Sequence, residues 1–398
     1  MINRPLVRLL LIGATVVACR RPATPPGRPA AKPVQPAGIN QPHPDDPRER
    51  TNLLNMANGA SVVSRTGEVS LENSAVYAID GDPWSSWISP PFDPEQAIVV
   101  SLPTLSRLTE LGVSRSPSEK YSFKAINVEH SSDGIAFSPL TTLRLRDTGE
   151  DQMFPVAPVE ARYLRMTVMQ PTGTFAQVNS LIARGTALEP PKPRSLEGCW
   201  SVNAMTGAFS QNGPDVWGHI GDIRIEGTTD GRTFRLAWSK GAEYGVALLT
   251  VSPDNRHFSG IKWHEEALPL FTGDNWFGER RRDCAEQPEH PREVFETWMS
   301  RAGSFPLYGL VFDDKAKLTP ASDATIGMLA QVLAHPPKPL RLLGYGDARQ
   351  LRALRAALQD RGVDLRSIEF VQAKEPRREC YTDYMRLMYL NIDLEIRR

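Results

Sequence analysis

Between residues 52 and 186, apolar residues alternate with polar ones or occur in short bursts. Examples are residues 97–100, 123–128 and 163–168, and turn-forming residues separate such bursts at 132–134 and 147–149. Many short segments with frequent turn signals between them predict an all-β sandwich. We expect no long α-helix in this part of the chain, because no segment of helical period and good length appears.

A second group of predicted strands lies between residues 196 and 285. The strand candidates, with hairpin turns at 228–231 and 252–255, are 223–225, 233–238, 244–251 and 258–263. They predict an antiparallel meander that closes on itself as a small barrel or sandwich. Five of the eight tryptophans lie here: Trp200, Trp217, Trp238, Trp263 and Trp276. We expect them in the core, and a role in lining a sugar or small-molecule site is the alternative.

From residue 292 to residue 398, the pattern changes to alternating strands and helices. The predicted strands are 307–312, 340–345, 368–371 and 390–396. Two helices lie between them, each with apolar residues on one face: Ile326, Leu329, Ala330 and Leu333 in the first, and Leu351, Leu354 and Leu358 in the second. This order of elements predicts a βαβαββ domain of the α+β class, so the chain as a whole is expected to be multidomain and mainly β.

The N-terminal residues have the parts of a secretory signal: arginines, a short apolar run and a small residue at a cleavage site. The apolar run is about half the ~20 residues that a transmembrane helix needs. Residues 16–19 resemble the lipobox of bacterial lipoproteins, which implies a signal peptide at 1–18 and a lipid on Cys19. An ordinary signal peptide with an incidental cysteine is the alternative. Residues 19–50 are rich in proline and poor in large apolar residues, which predicts a disordered linker.

Charge and cysteine content limit the partners and the disulfides. Lys and Arg (46 residues) balance Asp and Glu (46), so no charge excess indicates nucleic acid as a partner. Once Cys19 is assigned to the lipid, Cys199, Cys284 and Cys380 remain, and an oxidising compartment permits one disulfide among them. Cys199 and Cys284 lie at the two ends of the middle segment, and we favour their pairing. The sequence does not exclude the other pairings.

Four motifs in the first globular segment carry a family resemblance. They are Asn-Leu-Leu at 52–54 with Gly-Ala at 59–60, the stretch 73–87 around Asp-Gly-Asp-Pro-Trp, and the segments 128–134 and 161–166. Together they resemble the discoidin family (coagulation factor type C, galactose-binding-like). The resemblance implies an eight-stranded β jelly roll over residues 51–188. It also implies that loops at one end of the jelly roll bind sugars, phospholipid head groups or proteins.

The same resemblance indicates candidate site residues at the turn around Gly81. Some family members bind calcium at this turn with help from an acidic residue near the end of the domain, which implies a calcium site at Asp80 and Asp82. Here residues 180–184 contain no acid, so a turn closed by hydrogen bonds is the alternative. Trp84 stands where the family usually has a small polar residue. An exposed Trp84 could stack on a sugar ring, but we favour a packed side chain.

The C-terminal segment resembles the OmpA-like peptidoglycan-associated domain. The resemblance rests on Phe312, Leu-Thr-Pro at 318–320, Gly-Tyr-Gly-Asp at 344–347 and the terminal strand at 391–396. In that family, an aspartate and an arginine bind the diaminopimelate of peptidoglycan, and Asp347 occupies the aspartate position. The arginine position falls on Gln350, so Arg349 or Arg352 would have to substitute. The alternative is a degenerate domain that serves as a scaffold or binds protein.

We predict a function without catalysis, because the sequence lacks G-x-S-x-G, a complete H-E-x-x-H and a P-loop. The expected protein is a lipid-anchored lipoprotein of the bacterial cell envelope that binds a glycan or another surface ligand through its discoidin-like domain. Peptidoglycan is the second expected partner, and no cofactor other than calcium is expected. Arg20 favours the outer membrane, since it replaces the aspartate that retains lipoproteins at the inner membrane in enteric-type bacteria. A structural adaptor or a carbohydrate-active enzyme is the alternative.

Overall fold

A computed structural model describes residues 52–90, 95–171, 174–265, 274–282, 284, 286–313, 315–334, 339–374, 388 and 391–396. The predicted signal peptide, Cys19, the proline-rich linker and Cys380 lie outside the described residues. All described residues belong to one compact unit, Pro42–Arg398. Among them, no helix has both the length and the apolar character needed to cross a membrane.

The first segment forms a β-sheet with strand order β2-β7-β3-β6-β4-β5, and β1 pairs with β3. Its strands are β1 (Ser61–Arg65), β2 (Trp87–Ser89), β3 (Ala97–Arg115), β4 (Phe123–Ser131), β5 (Ser138–Arg144), β6 (Gln152–Pro171) and β7 (Ala176–Ala187). The described residues of this segment form seven strands, whereas eight were expected. Strands β3 and β6 each continue through changes of register where a shorter strand would end. The helices described here are short 3-10 turns, so the expected lack of a long α-helix is confirmed for this part.

The middle segment is a closed antiparallel barrel with strand order β10-β11-β12-β13-β14-β15-β8-β9. Its strands are β8 (Gly198–Val202), β9 (Met205–Asn212), β10 (Asp215–Ile220), β11 (Ile223–Thr229), β12 (Thr233–Lys240), β13 (Glu243–Val251), β14 (His257–His264) and β15 (Asp274–Arg280). The prediction of a meander that closes on itself is confirmed as a barrel. The predicted disulfide is also confirmed, since Cys199 on β8 is bonded to Cys284 beyond β15.

Four of the five tryptophans of this segment are buried, as a core role requires: Trp200, Trp238, Trp263 and Trp276. Trp200, Trp238 and Trp276 belong to the apolar cluster inside the barrel. Trp263 instead belongs to a cluster that includes residues of the jelly roll and of the C-terminal segment. Trp217 is only partly buried and lies on the outside of the barrel. Apolar side chains therefore cover both faces of several barrel strands.

The C-terminal segment is a four-stranded sheet, in the order β16-β19-β17-β18, with three helices. Its elements are α1 (Arg292–Arg301), β16 (Ser304–Pro306), α2 (Asp323–Ala334), β17 (Leu340–Gly344), α3 (Ala348–Asp360), β18 (Glu369–Gln372) and β19 (Ile392–Ile396). The predicted buried faces of α2 and α3 are confirmed for Ile326, Leu329, Leu333, Leu351, Leu354 and Leu358. Helix α1 is an addition, and from β16 to β18 the elements follow the predicted order β-α-β-α-β. Met388, which precedes β19, is helical, whereas the predicted order βαβαββ has two successive strands there.

The strand predicted at 307–312 is wrong. The strand β16 ends at Pro306, and the chain then turns, with the N–H of Leu310 donating to the carbonyl oxygen of Leu307 at 3.1 Å. Leu307, Tyr308 and Leu310 are nevertheless buried. The hydroxyl of Tyr308 donates to the carbonyl oxygen of Met388 at 3.1 Å. A buried turn needs the same apolar residues as a buried strand, and for that reason the sequence pattern did not distinguish them.

Candidate functional site

A tight turn at residues 80–85 joins the buried part of the jelly roll to its surface. The carboxylate of Asp80 accepts hydrogen bonds from the N–H of Asp82 at 2.9 Å and from the hydroxyl of Ser85 at 2.8 Å. The carboxylate of Asp82 accepts the N–H of Trp84 at 2.9 Å. Gly81 has φ of 79°, a left-handed conformation that favours glycine. The sequence-based alternative of a turn closed by hydrogen bonds is therefore what the structure contains.

Both aspartates of this turn are almost completely buried. Burial and, to a lesser extent, the charge of Asp82 raise the pKa of Asp80 well above its usual range. Burial also raises the pKa of Asp82, although the N–H groups of Trp84 and Ser85 partly oppose this effect. Simultaneous ionisation of both carboxyls is therefore unfavourable unless a positive charge lies beside them.

The turn offers few free ligands for calcium, which takes six to eight oxygen atoms. Two buried side-chain oxygens lack a hydrogen-bond partner here, Oδ2 of Asp82 and Oδ1 of Asn179. The amide of Asn179 donates to the carbonyl oxygens of Pro83 and Ser85, which places it beside the turn. No third acid, histidine or cysteine completes a metal-binding group with Asp80 and Asp82 among the described residues. Calcium at Asp80 and Asp82 stays a prediction.

Trp84 lies on this turn with 71% of its surface exposed, so the packed side chain that we favoured is wrong. Its indole N–H has no hydrogen bond within the described ranges, although its backbone is held by Asp82. Trp87, three residues later, occupies the core position, with 1% exposure and an indole N–H that donates to the carbonyl oxygen of Gly67 at 2.9 Å. Trp87 therefore fills the core position, and Trp84 on the preceding turn lies at the surface.

Sequence reasoning missed a second aromatic surface on the jelly roll. The rings of Tyr121 and Phe175 are stacked with centroids 5.7 Å apart, and the ammonium of Lys120 lies 5.3 Å and 5.6 Å from the two centroids. The N–H of Phe175 donates to the carbonyl oxygen of Lys120, which ties the β3–β4 and β6–β7 connections together. Tyr121 and Phe175 are far apart in the chain, so no local pattern indicates their contact.

The structure brings Asp347 and Arg349 together, but as a local pair. Asp347 is the N-cap of α3, where its carboxylate accepts the N–H of Arg349 at 2.8 Å and the Nη2 of the same residue at 2.6 Å. This side-chain contact holds the pKa of Asp347 below its usual range. Arg352, the other candidate, is exposed one turn later. A zwitterionic ligand would therefore have to replace an existing ion pair, and peptidoglycan binding stays a prediction.

The buried carboxylates of the turn lead to a prediction on pH dependence. In the folded state, Asp82 keeps its proton to higher pH than in the unfolded state, so the free energy of unfolding falls as pH rises above about 4. We expect Asp82→Asn to reduce this fall and to be more stable than the wild type at pH 7, because the amide carries no charge to desolvate. Urea unfolding from pH 4 to 8 in the presence of a chelator measures both quantities.

Asp133 is the matched control for this experiment. It also lies on a turn, but hydrogen bonds from the N–H groups of Ile135 and Ala136 lower its pKa. Its contribution to stability is present above the unfolded pKa and disappears as pH falls, so Asp133→Asn should lower stability at pH 7. If added calcium stabilises the wild type but not Asp82→Asn, the turn binds calcium. The alternative, a turn held by hydrogen bonds alone, would then be wrong.

Comparison with known proteins gives a family match within the jelly roll. The family model "F5/8 type C domain" matches residues 60–181. Among solved structures, the module CpGH89CBM32-5 from Clostridium perfringens, in complex with GalNAc-β-1,3-galactose, is 21% identical, with 33% of this chain and 99% of that chain covered and a TM-score of 0.29. The C-terminal domain of a chitobiase from Bacteroides fragilis is 22% identical, with 34% and 98% covered and a TM-score of 0.31.

A third similar structure is the family 32 carbohydrate-binding module of NanJ from C. perfringens, in complex with galactose. It is 19% identical, with 33% of this chain and 97% of that chain covered and a TM-score of 0.29. No curated protein sequence matches the chain. The motifs of the jelly roll and the family model agree on the same part of the sequence. Residues 60–181 of this chain therefore form an F5/8 type C (discoidin) domain.

Proposed function

We propose that the discoidin domain binds a glycan and that Trp84 is its principal contact. The observation that carries this proposal is the exposed indole of Trp84 on a turn that buried hydrogen bonds hold in place. An indole offers a flat apolar face for the C–H face of a sugar and an N–H donor for a hydroxyl. Because the turn is already ordered, little conformational entropy is lost when a ligand binds.

The remaining parts of the proposal rest on the sequence. We propose that the protein has no catalytic activity, that a lipid on Cys19 anchors it to the envelope, and that residues 19–50 separate the globular part from the membrane. The C-terminal segment would contact peptidoglycan through Asp347 with Arg349 or Arg352. A carboxylate suits the ammonium of an amino acid zwitterion, and a guanidinium suits its carboxylate. The outer membrane is the proposed location.

Substitution of Trp84 tests glycan binding. We expect Trp84→Ala to weaken binding on a glycan array about tenfold, because a stacked aromatic contact is worth about 1 kcal/mol or more. Stability should change little, since exposed substitutions usually stay within about 0.5 kcal/mol. The array should include galactose and GalNAc-β-1,3-galactose. Trp84→Phe keeps a flat ring and is expected to retain part of the affinity.

Phe175→Ala is the control that separates the two aromatic surfaces. If Phe175→Ala removes binding and Trp84→Ala does not, the ligand surface is that of Tyr121 and Phe175, and our assignment to Trp84 is wrong. If the wild-type protein retains no glycan, glycan binding itself is rejected.

The lipid anchor predicts where the protein is found in cells. With Cys19→Ser, the acyl chain cannot be attached, so the protein should leave the membrane fraction and incorporate no labelled fatty acid. Cys380→Ser removes a different cysteine and should leave fractionation unchanged. A Cys19→Ser protein that still sediments with membranes would show that another part of the chain provides the attachment.

Peptidoglycan binding predicts that Asp347→Asn lowers retention on purified sacculi. Asp364 is a structural control, because it also caps a helix, here the 3-10 turn Leu365–Ser367, and pairs with an arginine two residues later, at 2.7 Å from Nη2 of Arg366. Asp364→Asn should bind as the wild type does. Equal retention of the two variants would mean that Asp347 has no special role, and the C-terminal segment would then be a scaffold.

A further inference from the structure

A cavity of about 340 Å³ lies where the C-terminal segment covers the outside of the barrel. Strands β10 and β11 form one wall, and α1, β16 and the turn after it form the other. Its lining is mainly apolar and aromatic: Trp217, Phe295, Phe305, Leu307, Tyr308 and Met328. This volume lies at the lower end of the range for pockets that hold small organic ligands, about 300–1,000 Å³.

Strand register places acidic side chains in this cavity. Trp217 on β10 pairs with Glu226 on β11, and Asp215 pairs with Thr228 two residues away, so all four lie on the same face. The face is the outer one, because Val216 and Ile225 fill the inside of the barrel. The hydroxyl of Thr228 donates to the carbonyl oxygen of Tyr308 at 2.8 Å, which confirms that this face meets the C-terminal segment.

The carboxyl of Glu226 makes no contact with the described residues that would explain its presence by the stability of the fold. The Glu226 side chain is only 12% exposed, and the titratable group within 4 Å of its carboxyl is that of His290, with Nδ1 3.8 Å from Oε2. That distance is too long for a hydrogen bond, and no other residue in the described ranges bonds the carboxyl. Burial raises the pKa of Glu226 to about 8. An apolar residue at this position would pack against the C-terminal segment at lower cost in free energy.

The other charges of the cavity lie nearer to solvent. Asp215 is partly buried, and burial raises its pKa while His290 opposes the shift. The side chain of His290 is 61% exposed, and burial of its remainder lowers its pKa, which favours a neutral ring at pH 7. Arg292 and Glu296 of α1 are exposed at the rim. Within the described lining, the recessed charges are therefore acidic, and the permanent cation Arg292 lies at the rim. Outside the lining, Arg224 shares the outer face of β11 with Glu226, and Arg235 on β12 pairs with Thr228.

We propose that this cavity binds a small hydrophobic organic cation. The ammonium group would lie against the carboxylates of Glu226 and Asp215, and the apolar body would lie among Phe295, Phe305 and Met328. The face of Trp217 adds a cation–π contact. Its indole is already oriented, because Nε1 donates to the carbonyl oxygen of Pro288 at 3.0 Å and the ring contacts that of His290 at 5.3 Å. This site is separate from Trp84 and does not depend on glycan binding.

Binding of a cation is expected to be linked to a proton. A cation requires ionised Glu226, so below pH 8 the carboxyl must release its proton when the ligand binds. Affinity should therefore rise about tenfold for each pH unit up to about 8 and level off above it. A quaternary ammonium probe makes this measurement clear, because its own charge does not change with pH.

Calorimetric titration of the full-length protein with benzyltrimethylammonium from pH 6 to 9 tests the proposal. The wild type should bind it at least about tenfold more tightly than benzyl alcohol, a neutral compound with the same ring. Glu226→Gln should weaken binding about tenfold or more at pH 8 and remove most of its pH dependence, leaving the part that Asp215 contributes. Glu226→Leu should abolish binding and raise the melting temperature, since it relieves an unpaired buried carboxyl. Glu243→Gln alters an exposed acid of the same barrel and should have no effect.

Three outcomes would overturn the proposal. The first is no binding of benzyltrimethylammonium by the wild type at about 10 mM. The second is equal affinity of Glu226→Gln and wild type, or of the probe and benzyl alcohol, which would indicate only an apolar cavity. The third is a lower melting temperature for both Glu226 variants, which would make the carboxyl a structural group. The pH dependence of wild-type binding needs no variant, so the proposal can be tested even if a substitution prevents folding.

Discussion

The outer face of the central barrel is the surface on which both other segments pack. The hydroxyl of Ser61 on β1 donates to the carbonyl oxygen of Thr250 at 3.1 Å, and Ser259 on β14 bonds the N–H of Val62. On the side of the C-terminal segment, the indole of Trp298 on α1 donates to the carbonyl oxygen of Trp238 at 3.3 Å. One apolar cluster includes residues from all three segments. The barrel therefore has buried side chains inside and outside.

Burial of both faces of the barrel strands explains why the sequence of the middle segment does not alternate strictly between apolar and polar residues. Strand β13 contains a continuous apolar run at 246–249, with every residue buried. A strand covered on one face alternates apolar and polar residues, whereas a strand covered on both faces reads as a continuous run. Where the outer cover is incomplete, beside β10 and β11, polar side chains return and the cavity around Glu226 forms.

The proposed ligand sites differ in the way each binds. Trp84 presents an exposed ring on a turn whose buried carboxylates fix its backbone, which suits a flat ligand approached from solvent. Glu226 lies in a recess between two segments, where desolvation strengthens the attraction of a single charge. Asp347 differs from both, because it already caps a helix and pairs with Arg349. A ligand there must form contacts that are more favourable in free energy than this ion pair. Loss of one of these groups need not affect the others.

The sequence by itself determined the β-rich character of the first two segments, the buried faces of α2 and α3 and the motifs of the discoidin domain. These features depend on local periodicity or on motifs that one stretch of chain carries. Tertiary structure alone decided that Trp84 is exposed, that Tyr121 stacks on Phe175, that 307–310 is a buried turn and that Glu226 is recessed. Periodicity assigns a side chain to a face of its strand, but what covers that face depends on residues distant in the chain.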